Sequence, residues 1–390
     1  MFKRLTTEFL FILYLFVFVL LRPIFYFVSI NSTLLLALSG IVILCLYYFR
    51  TPFLNVNKMS IWLMICGGYL LIFCVQKIIS PNSFMNQYLA NFVIYTIMPL
   101  LLLQNVKDFG KVLLHYYHIS ILVGILICLD PLFEYRFTGD YMQYGFNMLM
   151  FSYAGLLIGV SYFKKRILWI PIVIELVCIA FWGNKGALLA SVVLLICVWL
   201  KRLKKTTTKL FFVMIGILGA LSYDKLILTA IDLAKKLGIN SYSMITFEIM
   251  LSENANIVYD ARLDIWKEAI IYIKQSPFFG GGIATFEEQT GGYAHNVFLD
   301  IALTFGIVGL VVFICILIHS IVKLYKSKNV EAKIFQGICL GCWFVSMQFS
   351  LTFWNVILFW VYWGMYLYGF LNKQKDCGYG DKKTYIDKHI

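Results

Sequence analysis

The sequence predicts an all-α integral membrane protein, and three observations support this prediction. Of 390 residues, 61% are hydrophobic and only 14% are charged, against roughly a quarter charged in a typical soluble domain. Long apolar runs such as FLFILYLFVFVLL and FGIVGLVVFICILI recur along the chain; a helix needs about 20 mainly apolar residues to cross a bilayer and satisfies its own backbone hydrogen bonds. The alternating pattern typical of transmembrane β-strands is absent from the sequence.

The apolar runs predict about twelve membrane-spanning helices, divided among four regions. Helices 1–9 are expected within residues 1–222, a helical extracytoplasmic loop domain within 223–295, helices 10–12 within 296–371, and a cytoplasmic tail within 372–390. The N-terminus has the basic start of a signal peptide but no small-residue cleavage site follows. We therefore expect it to remain as the first helix.

The lysines and arginines indicate the orientation. With both termini in the cytoplasm, 23 of the 33 basic residues lie in cytoplasmic segments and nine lie in outer loops, which is the asymmetry of the positive-inside rule. The same distribution accounts for the net charge of +13. The charge therefore predicts multi-pass topology rather than a nucleic-acid partner.

The outer segment 223–295 is long enough to fold outside the bilayer, so we expect function on that side. LILTAIDLAKKLG predicts an amphipathic helix ended by Gly238, and DARLDIWKEAIIYIKQSP predicts a second helix stopped by Pro277. The apolar face of the second helix is expected to consist of Leu263, Trp266, Ile270 and Ile273.

Glycines follow this second helix in the stretch FFGGGIATF, which includes Gly280 and Gly282. The spacing matches neither G-x-G-x-x-G nor the Walker pattern, so a nucleotide-binding loop is not expected. Because glycine tolerates positive φ, these residues are expected to turn the chain sharply back toward the membrane.

His295 is the only histidine that this topology places on the outer side. One interpretation is an interfacial residue that caps the helix starting near Asn296. The other is a functional imidazole that acts as a base or donates to phosphate. Asp260, Asp264 and Asp300 are alternative bases or histidine partners, each with a structural interpretation beside it.

Three outer cations are candidates for binding an anion: Arg136, Lys185 and Arg262. Guanidinium suits pyrophosphate because its planar fork donates two parallel hydrogen bonds and stays charged. The structural alternatives are helix solvation or an exposed pair with Glu268 for Arg262, and a solvated turn for Lys185. Arg22, in or at the edge of the first span, has the same two interpretations: a guanidinium for pyrophosphate, or a side chain that extends toward the interface.

The segment ARLDIWKEAIIYIKQSPFFGGGIATF, followed by AHNVFLDIALTFGIVGLVVF, resembles the signature of the O-antigen polymerase and O-antigen ligase superfamily. The matching residues are Arg262, Trp266, Pro277, Gly280, Gly282, Phe286, His295, Asn296, Phe298, Leu299, Gly306 and Gly309. GNKGALLA is similar to a further stretch of that family, with Lys185 where arginine is usual. RFTGDYMQYGFNMLMF resembles the segment that carries an outer-loop arginine.

The resemblance implies a GT-C-like glycosyltransferase of the bacterial cytoplasmic (inner) membrane, without cofactor, nucleotide sugar or bound metal. The implied donor is an undecaprenyl-pyrophosphate-linked oligosaccharide in the membrane lipid, and the acceptor is a sugar hydroxyl. His295 and Arg262 would be catalytic, and Arg136, Lys185 and Arg262 would bind pyrophosphate. The supporting residues would be Asn296, Trp266, Asp264, Gly280 and Gly282.

Three functions remain open at this point. A polymerase of O-antigen or capsule would extend a lipid-linked glycan, with a flippase and a chain-length regulator as candidate partners. A ligase would move finished polymer onto lipid A core or another acceptor by the same chemistry. A polysaccharide flippase would show pseudo-symmetric halves and short loops, whereas this chain has a single large outer segment. We favour the polymerase.

Overall fold

A computed structural model of the protein describes residues 6–28, 32–50, 56–79, 81–135, 138–202, 223–236, 244–245, 248, 256–348 and 350–372. The helices, in chain order, are α1 (Thr7–Val28), α2 (Ser32–Arg50), α3 (Val56–Ile79), α4 (Phe84–Leu103), α5 (Phe109–Leu129), α6 (Tyr141–Ser161), α7 (Trp169–Trp182), α8 (Lys185–Arg202), α9 (Tyr223–Lys236), α10 (Asn256–Gln275), α11 (Thr285–Thr290), α12 (Val297–Lys326), α13 (Val330–Ser346) and α14 (Ile357–Leu367). These ranges contain no β-strand, which confirms the all-α prediction.

Five helices in the described ranges are long and apolar enough to cross a membrane. They are Lys58–Ile79, Phe84–Leu103, Phe109–Phe133, Tyr141–Ser161 and Val297–Lys326. Shorter apolar helices cover Ser39–Phe49, Lys185–Trp199 and Ile357–Leu367. The protein is therefore a multi-helix membrane protein, while the total of about twelve spans and the orientation stay predictions.

Helix α6 lies at the centre of the bundle and is buried along most of its length. It packs against α5, where a Cβ on Gly124 would collide with Ser152 and one on Gly155 would collide with Ser120. The hydroxyl of Ser152 donates to the Ser120 carbonyl across this crossing (3.0 Å). Small residues of this kind let membrane helices pack closely. Close packing and hydrogen bonds drive helix association in a bilayer, because apolar side chains gain no hydrophobic free energy by exchanging lipid for protein contacts.

Helix α10 covers the second segment predicted to be helical between residues 223 and 295, and α9 covers the first as far as Lys236; Gly238 lies outside the described residues, and the outer placement of both helices stays a prediction. The predicted apolar face of α10 is wrong in part, because Leu263 and Ile270 are 37% and 45% exposed. The buried face of α10 is centred instead on Ala269, which packs with Phe286, Ala294 and Leu303. Partly buried side chains surround this cluster: Ile265, Tyr272, Ile273 and Leu299. The small Ala269 lets α10 approach α12 closely.

Helix α12 is broken at Gly306, whose φ of 71° and ψ of −174° are not helical. The segment Pro277–Gly281 fills the break with its own backbone. The Ile307 N–H donates to the Pro277 carbonyl (2.8 Å), the Val308 N–H to the Phe278 carbonyl (3.3 Å), and the Gly281 N–H to the Leu303 carbonyl (2.8 Å). We call Pro277–Gly282 the glycine turn; it carries the sharp return predicted from the sequence.

Ile283, which directly follows the glycine turn, docks on the C-terminal end of α3. The Gln76 side chain donates to the Ile283 carbonyl (2.7 Å) and accepts from the Ile283 N–H (2.7 Å). Gly282, at φ 94°, lies directly against this amide, leaving no room for a Cβ. The turn is therefore fixed between α3 and α12. Helix α11 and the non-helical segment that leads to His295 follow it in the chain.

Candidate active site

The turn between α7 and α8 presents Lys185 at the start of α8. Asn184 builds this turn, since its side-chain oxygen accepts from the Ala187 N–H (2.8 Å) as an N-cap and its amide donates to the Met142 carbonyl (2.7 Å). Lys185 is half-buried. Its ammonium group and the guanidinium of Arg262 are close enough to repel each other.

Arg262 lies on the second turn of α10 rather than at its first residue, because the helix begins earlier, at Asn256. Its side chain is exposed and forms no ion pair with the described acidic side chains. The positive charge of Arg262 acts on both Lys185 and His295. The structure thus brings together three of the predicted site residues from three separate parts of the chain.

His295 is not the cap of α12. The cap is Asn296, whose side-chain oxygen accepts from the Phe298 N–H (3.0 Å) and the Leu299 N–H (3.2 Å). His295 stands outside the helix in a left-handed conformation with φ of 55°, which is uncommon for a residue with a side chain but less so for histidine than for most. The capping interpretation is therefore wrong for His295 and correct for its neighbour.

The His295 imidazole is half-buried, and its Nδ1 has no hydrogen-bond partner among the described residues. Burial lowers the pKa of His295, and the charge of Arg262 lowers it further. Both effects favour the neutral form of the ring. A neutral imidazole can accept a proton, and the nearby cation Arg262 can bind an anion.

Tyr293 packs against the His295 ring, with the ring centroids 4.2 Å apart. Its phenol is hydrogen-bonded to the side chain of Ser350 and the backbone of Leu351, and burial raises the pKa of Tyr293. Sequence reasoning missed Tyr293. The signal for it was weak, because an aromatic residue two positions before a histidine is common in any apolar chain.

Two buried acidic residues, Asp300 and Glu287, lie close to the segment that contains Tyr293 and His295. Asp300 accepts from the Ala294 N–H (3.3 Å) and bonds with the side chain of Thr352, while Glu287 accepts from the Tyr88 hydroxyl (2.8 Å). The two carboxyl groups are close enough to interact, and burial raises the pKa of Glu287. Asp300 therefore anchors the backbone next to His295 rather than contacting the imidazole.

Arg22 reaches the outer loop before α6 and donates to the side-chain oxygen of Gln143 (2.7 Å). Its guanidinium also lies against Gly139 and interacts electrostatically with Asp140, which in turn acts on Tyr293. Sequence reasoning had offered extension toward the interface as one of two interpretations of Arg22. The predicted outer-loop cation, Arg136, lies outside the described residues.

The supporting residues divide into two groups. Trp266 donates from its indole to the Ala294 carbonyl (3.0 Å), and so ties α10 to the chain just before His295. Asn296 caps α12, and Gly280 and Gly282 shape the glycine turn. Asp264 is exposed and pairs with Lys267 (2.8 Å) on the solvent side of α10, so its contacts give it no link to His295. The side chain of Asp260 lies outside the described set.

The positive charge of the site comes from side chains. The described residues include no cluster of three His, Cys, Asp or Glu side chains with the placement of metal ligands. Lys185 and Arg262 give this region positive charge, and His295 adds a ring nitrogen that has no partner among the described residues.

Comparison with known families gives one match. Residues 170–314 match the model of the O-antigen ligase family, a range that contains Lys185, Arg262, His295 and the break at Gly306. The match confirms the resemblance to the O-antigen polymerase and ligase superfamily. No curated protein matches the chain significantly.

Proposed function

We propose, from the premise that residues 170–314 form a domain of the O-antigen ligase family, that this protein polymerises a surface polysaccharide such as O-antigen or capsule. The donor is a glycan on undecaprenyl pyrophosphate, and the acceptor is a sugar hydroxyl of another lipid-linked repeat unit. The reaction takes place at the outer face of the bacterial cytoplasmic membrane. A flippase that delivers repeat units and a chain-length regulator are the expected partners.

One observation supports this function above the others: Arg262 acts electrostatically both on the half-buried imidazole of His295, just before an apolar helix, and on Lys185. The electrostatic effect of Arg262 on both Lys185 and His295 indicates a compact group. Lipid-linked pyrophosphate places its charge at this boundary between water and hydrocarbon, since its polyprenyl chain remains in the bilayer.

The proposed step is a displacement at the anomeric carbon of the donor sugar. The acceptor hydroxyl oxygen forms the new glycosidic bond, while the bond from the anomeric carbon to the pyrophosphate oxygen breaks and its electron pair leaves with undecaprenyl pyrophosphate. His295 accepts the proton of the acceptor hydroxyl. Arg262, Lys185 and Arg136 stabilise the negative charge that develops on the leaving pyrophosphate.

A ligase is the second candidate, because the matching family model is that of O-antigen ligases. Both functions use the same donor chemistry and differ in the acceptor. The test is the purified full-length protein in phospholipid vesicles with a lipid-linked repeat unit, analysed by gel. A ladder of products from this substrate alone supports the polymerase, and transfer only after lipid A core is added supports the ligase.

The matched control for this assay is the His295→Ala variant, which should make no product in either format. Movement of the lipid-linked substrate across the vesicle membrane without any new glycosidic bond would contradict both candidates and favour a flippase.

The pH profile tests the role of His295 as a base. Because the pKa of His295 is lowered by burial and by Arg262, activity should persist as the pH falls below about 6.5, the unperturbed pKa, and disappear only at lower pH. Arg262→Gln removes one of the two causes, so the pKa rises and the acid limb of the residual activity moves to higher pH. The measurement is the initial rate across the pH range.

Lys274→Gln is the control, since Lys274 is an exposed cation in the last turn of the same helix. Its acid limb should coincide with that of the unmodified protein. An acid limb that does not move in Arg262→Gln would contradict the assignment of His295 as the titrating base.

A further inference from the structure

The break in α12 lies inside the apolar part of the helix. Counted back from Lys323, near the far end of α12, about 20 residues reach Leu303, so Gly306 falls just within the stretch that crosses the hydrocarbon. The glycine turn lies at the same level, because Pro277 and Phe278 accept hydrogen bonds from Ile307 and Val308.

Most backbone groups of the glycine turn and of the adjoining Ile283 have hydrogen-bond partners, as non-helical backbone at membrane depth requires. Besides the three bonds to α12, the Gly280 N–H donates to the Ser276 carbonyl (3.0 Å), the Gly281 carbonyl accepts from the Thr285 hydroxyl (2.7 Å), and Ile283 is paired at both ends by Gln76. Non-helical backbone is tolerated at membrane depth where protein groups satisfy it.

Two side chains of the glycine turn point away from the protein. Phe278 is 68% exposed and Phe279 is 81% exposed. They adjoin an apolar exposed surface of α12 formed by Ile307, Val308, Val311 and Val312. Just before the turn, at the end of α10, Lys274 and Gln275 are exposed and polar. The chain thus changes from polar to apolar exposure over Lys274–Phe279, as it would on entering a bilayer.

We propose that the glycine turn is a re-entrant segment, and that Phe278 and Phe279 insert among the acyl chains of the bilayer phospholipids. Each phenyl ring transferred from water contributes the free energy of apolar burial. Insertion holds α10, and with it Arg262, at a fixed height above the membrane. This inference concerns membrane contact and does not depend on the reaction proposed above.

The test is photo-crosslinking of the full-length protein in phosphatidylethanolamine and phosphatidylglycerol vesicles that contain an alkyne-tagged acyl chain. Phe279 is replaced by p-benzoylphenylalanine, which retains the phenyl ring, and a second variant places the same residue at 278. We expect tagged lipid to be attached to both variants, several-fold more than to a variant with the probe at Lys267, an exposed position on α10.

A probe at Val312, on the exposed surface of α12, establishes that lipid attachment is detected, and a probe at the buried Phe286 should give none. The proposal is overturned if neither Phe278 nor Phe279 acquires lipid while Val312 does, or if the products are cross-linked copies of the protein. It is also overturned if undecaprenyl phosphate abolishes the attachment, since the occupant would then be a polyprenyl chain.

Discussion

Arg262→Ala is expected to lower the rate of glycan transfer by about 100-fold or more, the effect of removing one preorganised donor from a transition-state site. Arg262 provides a charge that reaches both Lys185 and His295. Its loss leaves only Lys185 and Arg136 to stabilise the leaving pyrophosphate. Initial rates with a lipid-linked repeat unit measure the effect.

The fold should be unaffected by this change, because the Arg262 side chain is exposed and forms no ion pair with described acidic residues. Melting in detergent should therefore match that of the unmodified protein. Arg262→Lys keeps the charge but loses the bidentate fork, so its rate should be intermediate. Lys274→Ala is the matched control on the same helix, and a rate for Arg262→Ala equal to that control would rule out the proposed role.

Gly306→Ala is expected to destabilise the outer half of the protein severely. A Cβ at this position would lie 2.5 Å from the Phe279 nitrogen and closer still to the Phe278 carbonyl, and the backbone conformation, φ 71° and ψ −174°, alone costs about 1–3 kcal/mol for a residue other than glycine. The glycine turn would have to move, and the hydrogen bonds from Ile307 and Val308 would be lost. We expect lower melting temperature, lower yield and loss of activity together.

Gly337→Ala provides the comparison, since Gly337 lies inside α13 and a Cβ there would meet nothing within 4 Å. Alanine favours the helix over glycine by up to about 1 kcal/mol, so this variant should melt at the same or a higher temperature. If both variants melted alike, the break at Gly306 would have no structural importance.

The fold class could be predicted from the sequence because length and apolarity alone determine what can cross a bilayer. The break in α12 could not. FGIVGLVVF is as apolar as any continuous span, and membrane helices tolerate glycine. The break depends on a partner, the glycine turn, that precedes α12 in the chain, and no local pattern encodes that pairing.

Some residues of the candidate site could be proposed from the sequence, whereas its packing contacts could not. His295 and Arg262 were identifiable because the predicted topology leaves one histidine and few arginines on the outer side. The face of α10 was harder, since Ala269 carries too little apolar surface to stand out beside Leu263 and Ile270. The partner of Arg22 could not be predicted, because its position in the first span gives no sign of the loop that brings Gln143 to it.

Gln76 acts on the glycine turn as a neighbouring peptide unit would. Its carboxamide offers one donor and one acceptor, which match the carbonyl and N–H of Ile283. A carboxylate of the same shape could accept the hydrogen bond from the Ile283 N–H, but it has no N–H to donate to the Ile283 carbonyl. A hydrocarbon side chain could form neither hydrogen bond. The two residues are 207 positions apart. During synthesis, the early helices therefore already contain the chemical group that determines where a much later loop will dock.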